Sequence, residues 1–219
     1  MSWPARRRLA ASMGMCVVLA ACAVGSTPTP QPDCPTAAPS ASEAQELLAD
    51  VDHVAVSTDH GDFDIQIASD SAPIAAANFV ALVRCGFYDG ITFHRVIAGF
   101  VAQAGDPQTR DNRGDFAGLG TGGPGYRFII EPPADGLNYD PYTVAMANSG
   151  GTDTNGSQFF IDLADLDDRL QRLYTIIGRV TDGTDVVDAI GQVPTSSRDV
   201  PLDPVIIESM TVEAAPEAS

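Results

Sequence analysis

The chain has 219 residues, of which 44% are hydrophobic, so it is long enough for one domain with appendages or for two small domains. Its 20 glycines and 16 prolines indicate many turns and argue against a helical bundle. The formal net charge is −17, and all 12 basic residues are arginines. Such a chain is poorly suited to bind nucleic acid or an anionic lipid surface, so any membrane attachment would have to be hydrophobic or covalent.

The N-terminal segment has the pattern of an export signal. Three arginines at residues 6–8 precede an apolar run over residues 9–21, which is shorter than the roughly 20 residues that a membrane-spanning helix needs. The run ends in Leu19-Ala20-Ala21-Cys22, which resembles the bacterial lipobox, where the cysteine is lipidated. We therefore expect residues 1–21 to be a lipoprotein signal peptide and Cys22 to anchor an exported protein to the outer face of the bacterial cytoplasmic membrane, or elsewhere in the cell envelope. The alternative is an ordinary signal-peptidase site.

Residues 22–50 are rich in proline, serine, threonine and alanine, which predicts a tether without a core of its own. Two cysteines, Cys34 and Cys85, would remain after removal of the signal peptide and lipidation of Cys22. Export would place them in an oxidising compartment, where disulfides persist. Both a Cys34–Cys85 disulfide and two free thiols are compatible with the sequence.

The domain is expected over residues 51–213, with residues 214–219 as a disordered tail. Residues 54–58 and 63–67 flank a turn and predict a hairpin, because the second run alternates apolar and polar side chains. A helix should follow, with Ser71 as its N-cap and Gly86 at its end. Beyond it, short apolar runs alternate with turn residues, which indicates a β-barrel or sandwich with helical additions.

Residues 93–106 contain an arginine within an apolar run, in the sequence F-H-R-V-I-A-G-F-V-A-Q-A-G-D. If the strand continues past Gly99, Arg95 and Gln103 share one face of the sheet. A guanidinium on an apolar surface is unfavourable unless it has partners or a function. The alternative is a structural arginine paired with an acid at the rim of a barrel.

Two further segments resolve that choice. Met146-Ala147-Asn148 is followed by N-G-S-Q-F-F-I at residues 155–161, and the run over residues 93–106 precedes both. Together they resemble the signatures of cyclophilins, as do the glycine-rich run G-T-G-G-P-G-Y at residues 120–126 and I-G-R-V at residues 177–180. The resemblance spans residues 53–212. It implies a mostly β fold: a closed antiparallel eight-stranded barrel capped by two α-helices, with a peptidyl-prolyl isomerase site on its outer wall.

The resemblance assigns a role to each matching position. Arg95 matches the catalytic arginine, and Gln103 the residue that bonds the substrate backbone and helps hold that arginine. The remaining substrate-binding positions line the proline pocket or its rim: Phe100, Val101, Ala147, Asn148, Gln158, Phe160, Leu170 and Tyr174. Ala98 stands where the family usually has proline, and a family tryptophan near residues 166–169 is missing, so tight cyclosporin binding is not expected.

The chemistry of this site requires no cofactor. Rotation about an X–Pro bond faces a barrier of roughly 18–20 kcal/mol and breaks no bond, so a dry pocket for the ring and a nearby cation suffice. No metal is expected, because the three histidines lack ligand spacing, and His94 is expected to be structural. The substrates should be proline-containing peptides and unfolded exported proteins, handled by a monomer. The competing function is a proline-segment binding module, or holdase, with little turnover.

Overall fold

The computed structural model describes residues 33–215, which lie in one compact unit. The predicted signal peptide, Cys22, the first part of the tether and residues 216–219 of the predicted tail lie outside the described residues. Three α-helices are present in the described part of the chain, α1 Ala41–Leu48, α2 Pro73–Arg84 and α3 Thr184–Ile190, and a 3₁₀ helix covers Pro107–Arg110. The strands are β1 Val51–Thr58, β2 Gly61–Ile67, β3 Thr92–Phe93, β4 Arg95–Ile97, β5 Val101–Ala104, β6 Thr143–Met146, β7 Phe159–Asp162, β8 Ile176–Asp182 and β9 Val205–Ala214.

The strands form one antiparallel sheet in the order β3-β9-β1-β2-β8-β6-β7-β5-β4. Strands β3 and β4 stand at opposite ends of this order, yet only His94 separates them in the chain, so the sheet curls into a nearly closed barrel. The mostly β barrel predicted from the sequence is confirmed. The described residues contain nine strands rather than eight because β3 and β4 pair with different neighbours, and three helices rather than two because α1 precedes the barrel.

The first predicted hairpin is confirmed, since β1 and β2 pair antiparallel from His53 opposite Gln66 to Thr58 opposite Gly61. The strand does not continue past Gly99. The chain turns there, with Gly99 at φ +66° and the Phe100 N–H bonded to the Ile97 carbonyl at 2.9 Å. Strands β4 and β5 therefore fold back on one another, and Arg95 lies directly opposite Gln103. The expected proximity of these two residues results from hairpin pairing rather than from strand periodicity.

The N-terminus of α2 is capped by Glu131, which is distant in sequence, and the predicted Ser71 N-cap is wrong. The Ser71 hydroxyl donates to the Ala68 carbonyl instead. The Glu131 carboxylate accepts the backbone N–H groups of Ile74 and Ala75 at 3.2 and 2.7 Å. An acidic side chain is favourable at this position because the first N–H groups of a helix lack partners within the helix. At the other end, Gly86 adopts a positive φ of 69° just after the helix, as expected.

The segment before the barrel is attached to the domain at two points. Helix α1 begins with a capping box between Ser40 and Glu43, buries Ala44 completely and packs on α2. Cys34 forms a disulfide with Cys85, at the C-terminal end of α2. This answers the question that the sequence left open. No helix among the described residues is long and apolar enough to cross a membrane.

Apolar side chains form two separate clusters. The larger one fills the barrel between the sheet and α2, and its aromatic rings meet edge to face, as Phe159 does with Phe79 and Phe93. The smaller one lies on the outer wall, over β5, β6 and β7, around Val101 and Phe160. The first cluster positions the sheet, and the second contains the apolar residues of the candidate site.

Candidate active site

Three predicted site residues form a row across the outer wall, and Ala145 extends the row to a fourth strand. Arg95 on β4 lies opposite Gln103 on β5, Gln103 lies opposite Phe160 on β7, and Phe160 lies opposite Ala145 on β6. Side chains at directly opposed positions share a face of the sheet. The register alone therefore places one cation, one amide and one aromatic ring side by side.

A chain of hydrogen bonds fixes the polar half of the row. The Arg95 guanidinium donates to Oε1 of Gln103 at 3.3 Å, and Nε2 of Gln103 donates to Oε1 of Gln158 at 3.0 Å. Nε2 of Gln158 then donates to the backbone carbonyls of Gly120 and Gly122, at 2.9 and 2.8 Å. Because each amide uses its oxygen on one side and its nitrogen on the other, the chain has a single consistent orientation. It positions one face of Arg95 and leaves further N–H groups for a ligand.

The glycine-rich loop that ends this chain is held by Asp106, whose role the sequence reasoning missed. Asp106 is fully buried, and Oδ2 accepts the N–H groups of Gly120 and Gly122 at 2.7 and 3.2 Å. A Cβ atom on Gly122 would lie 2.0 Å from Oδ1 of Asp106, so only glycine fits there. The available signal was the aspartate that closes the first motif, together with the glycine spacing of the loop.

The apolar half of the site is the smaller cluster. It contains all six predicted apolar and aromatic pocket residues, which are Phe100, Val101, Ala147, Phe160, Leu170 and Tyr174. Val101 and Phe160 are almost fully buried and form its floor, while the other four are partly exposed around them. The Tyr174 ring packs edge to face on Phe160 at 5.4 Å between centroids. The arrangement offers an apolar surface beside the Arg95 guanidinium.

A polar cavity of about 520 Å³ adjoins the site on the side of the glycine-rich loop. Its lining includes Gln103, Gln158, Ala147 and Asn148. The Asn148 side chain donates to the Leu173 carbonyl at 2.9 Å and accepts the Gly150 N–H at 3.1 Å, so the backbone on both sides is held in place. Asn148 and Gln158 therefore line this cavity, but much of their hydrogen-bonding capacity serves the protein itself.

His94 lies behind the site rather than in it. It is 4% exposed, and burial lowers its pKa to about 4; the Asp106 carboxylate opposes this shift and the Arg95 charge adds to it. The imidazole is therefore neutral near pH 7 and occupies the junction between β3 and β4. Within residues 33–215, no group of three or more His, Cys, Asp or Glu side chains is arranged to hold a metal ion.

One buried carboxyl near the site was not anticipated. Asp162 on β7 lies opposite Val101, is fully buried, and neither of its carboxyl oxygens has a hydrogen-bond partner within the part of the chain that the structure describes. Burial raises the pKa of Asp162 to about 8, and the nearby Asp140 carboxylate adds to the shift. The side chain is therefore largely protonated at neutral pH, and no sequence pattern distinguished it from the surface aspartates that follow.

A family model and individual relatives match this chain, and they agree on one family. The model of the family described as "Cyclophilin type peptidyl-prolyl cis-trans isomerase/CLD" matches residues 53–212. The chain is 42% identical over 173 residues to a probable peptidyl-prolyl cis-trans isomerase A of Mycobacterium bovis, covering 71% of this chain and 88% of the relative. It is 40% identical over 185 residues to the peptidyl-prolyl cis-trans isomerase B of Streptomyces anulatus, covering 76% and 99%.

A solved structure agrees with these sequence relatives. It is a cyclophilin-type isomerase of Cryptosporidium parvum, crystallised in the presence of the dipeptide Ala-Pro. It superposes with a TM-score of 0.66 and 32% sequence identity, over 74% of this chain and 99% of that structure.

Proposed function

This chain belongs to the cyclophilin-type peptidyl-prolyl cis-trans isomerase family, and we propose that the site around Arg95 catalyses X–Pro rotation in exported proteins. The observation that carries this assignment is the hydrogen-bonded row from Arg95 through Gln103 to Gln158, set beside the apolar cluster around Phe160. A fixed cation next to a surface suited to a pyrrolidine ring is what the reaction requires.

The chemistry follows from the electronic structure of the amide. In the planar ground state the prolyl nitrogen shares its lone pair with the carbonyl, which produces a barrier of roughly 18–20 kcal/mol. As the bond twists, the lone pair localises on the nitrogen and becomes a hydrogen-bond acceptor. A guanidinium N–H of Arg95 donates to that nitrogen more strongly in the twisted state than in either planar isomer, so it stabilises the transition state selectively.

The neighbouring groups keep the substrate in register while the bond turns. The apolar cluster holds the proline ring, with Val101 and Phe160 as its floor. The Gln103 side chain forms a hydrogen bond with the substrate backbone. Its Oε1 atom also accepts from Arg95 and so restrains the guanidinium. No covalent intermediate and no proton transfer occur, so the protein supplies only positioning and electrostatic stabilisation.

The assignment is tested with a short Xaa-Pro peptide whose trans isomer is cleaved by a coupled protease. We expect full-length protein to accelerate the slow isomerisation phase in proportion to its concentration. Protein that binds the peptide without accelerating that phase would support the binding-module alternative instead. The same measurement on unfolded protein substrates that refold through a proline-limited phase would show activity on longer chains.

Export and lipid anchoring complete the proposal. They are supported by the arginines, the apolar run and the lipobox-like Leu19-Ala20-Ala21-Cys22, and by the Cys34–Cys85 disulfide, which suits an oxidising compartment. We expect labelled palmitate to be incorporated into the wild-type protein in a bacterial host and lost in Cys22→Ser. Equal labelling of both proteins would exclude Cys22 as the anchor. The anchored protein is proposed to act as a monomer on the outer face of the cytoplasmic membrane or elsewhere in the cell envelope.

A further inference from the structure

The wall of the proline pocket that carries Phe100 lies in an exposed turn between two strands. Phe100 follows Gly99 in the β4–β5 turn, which is closed internally by the hydrogen bond from the Phe100 N–H to the Ile97 carbonyl. A Cβ atom on Gly99 would meet nothing within 4 Å, so this side of the turn faces open space. The backbone of the turn is joined to the domain where the Phe100 carbonyl accepts the Leu163 N–H at 2.8 Å. The Phe100 ring is only partly buried and packs on the smaller cluster from its edge.

Arg169 contacts this turn at two points. Its guanidinium carbon lies 4.8 Å from the centroid of the Phe100 ring, and its Nη1 donates to the Gly99 carbonyl at 3.0 Å. The loop that carries Arg169 is itself anchored, because Leu166 is fully buried and its carbonyl accepts the backbone N–H of Arg169 at 2.8 Å. One side chain therefore ties both the ring and the preceding peptide group to a fixed point.

The surrounding charges do not account for this orientation. Three aspartates lie close to Arg169 in sequence, yet within residues 33–215 no carboxylate approaches its guanidinium within 4.0 Å. Asp167 pairs with Arg172 at 3.6 Å, and Asp165 accepts the Asp167 N–H at 3.1 Å. The Arg169 guanidinium instead faces the turn, although its position on the surface would permit an ion pair with its own loop.

We propose that Arg169 is a positioning residue that holds Phe100 in the conformation required to receive the substrate proline. A planar guanidinium can stack on an aromatic ring and donate a hydrogen bond at the same time, which lysine cannot reproduce. If Phe100 adopts its binding conformation in only a fraction of the molecules, the apparent affinity for the substrate is reduced by that fraction. The inference deepens the proposed function and depends on it.

Substitution of Arg169 is expected to change KM rather than kcat. A cation–π contact at an exposed site contributes about 0.5–1 kcal/mol, which corresponds to roughly a two- to fivefold change in affinity. We expect Arg169→Gln to raise KM for an Xaa-Pro peptide by this factor while kcat changes less than twofold. Arg169→Lys should restore only part of the loss, since it keeps the charge without the planar stack. The matched control is Arg84→Gln, which removes the same charge from the exposed end of α2.

A double-mutant cycle separates positioning from a general loss of charge. Once Phe100→Leu has removed the ring, Arg169→Gln should raise KM much less than it does in the wild-type background. The proposal is overturned if Arg169→Gln matches Arg84→Gln in KM, or if it raises KM equally with and without the Phe100 ring. These outcomes assume an active parent. A parent that accelerates no peptide would contradict the proposed function itself, which is a separate result.

Discussion

The interior of the barrel and the site on its outer wall are held together in different ways. The interior is a cluster of apolar side chains with close aromatic contacts, and such packing contributes in proportion to the area it buries. The site rests on a short series of polar contacts, from Arg95 to Gln103, to Gln158 and to the glycine-rich loop that Asp106 holds. Each of these hydrogen bonds contributes only about 1–3 kcal/mol to stability, the larger values applying to those that involve a charged group.

This difference implies that stability and catalysis can be separated by mutation. Loss of a contact at the wall should alter turnover while the fold remains intact. Loss of an attachment that contributes no residue to the site should reduce stability while the site continues to work. Substitutions of single residues can test the separation in both directions.

The largest effect is expected at Arg95. Arg95→Ala removes the proposed donor to the prolyl nitrogen, so kcat/KM should fall at least tenfold, and by up to about 1,000-fold if the donor acts as fully as a preorganised oxyanion donor does. The midpoint of thermal unfolding should stay close to that of the wild type, because Arg95 is partly exposed and, within residues 33–215, its side chain forms one hydrogen bond, of 3.3 Å, to Gln103. Undiminished activity of folded Arg95→Ala would refute the mechanism.

The reverse separation is expected at the disulfide. Cys34→Ala opens a link between residues 51 positions apart and should lower the free energy of unfolding by about 2–4 kcal/mol. The peptide assay below the melting range should give a kcat/KM within twofold of the wild type. Reduction of the wild-type protein should reproduce both results. A parallel loss of activity would show that α1 and α2 influence the site.

The glycine-rich loop offers a closely matched pair of variants. Gly122→Ala forces a methyl group against the Asp106 carboxylate, whereas Gly123→Ala places one where nothing lies within 4 Å. We expect the first to reduce kcat/KM by roughly three- to tenfold, because displacement of the loop deprives Gln158 of hydrogen bonds worth about 1 kcal/mol each. The second should behave as wild type. Equal kinetic parameters for the two variants would show that the loop does not position Gln158.

The effect expected at Asp162 concerns stability alone, and it depends on pH. Its pKa rises from the ordinary 3.8 to about 8 in the folded protein, so unfolding releases a proton between these values. The carboxyl thus favours the folded state most below pH 4, and this contribution is lost as pH increases toward 8. The free energy of unfolding of the wild type, relative to Asp162→Asn, should therefore fall by about 1 kcal/mol or more between pH 5 and pH 8. Chemical denaturation of both proteins across this range would reveal the difference, and parallel pH profiles would contradict it.

Patterns within short stretches of sequence predicted the mostly β fold and most of the candidate site. Alternation of apolar residues located the β1–β2 hairpin, and the two motifs brought Arg95, Gln103 and Phe160 together. Contacts between distant segments could not be inferred in this way. Glu131 caps a helix that begins 58 positions earlier, and the apolar neighbours of Gly99 left open whether the strand continues there, where the chain in fact turns. Each depends on where loops meet in three dimensions.

The nearly closed form of the barrel has a consequence for how the molecule opens. Strand β4, which carries Arg95, is an edge strand of three residues that pairs with β5 on one side. On the other side, the Val96 N–H bonds the Asp199 carbonyl at 2.8 Å. Short edge strands detach at a lower free energy than the whole domain, so β4 amides should exchange with solvent by local fluctuation. On warming, catalysis is then expected to fade before the cooperative melting of the barrel.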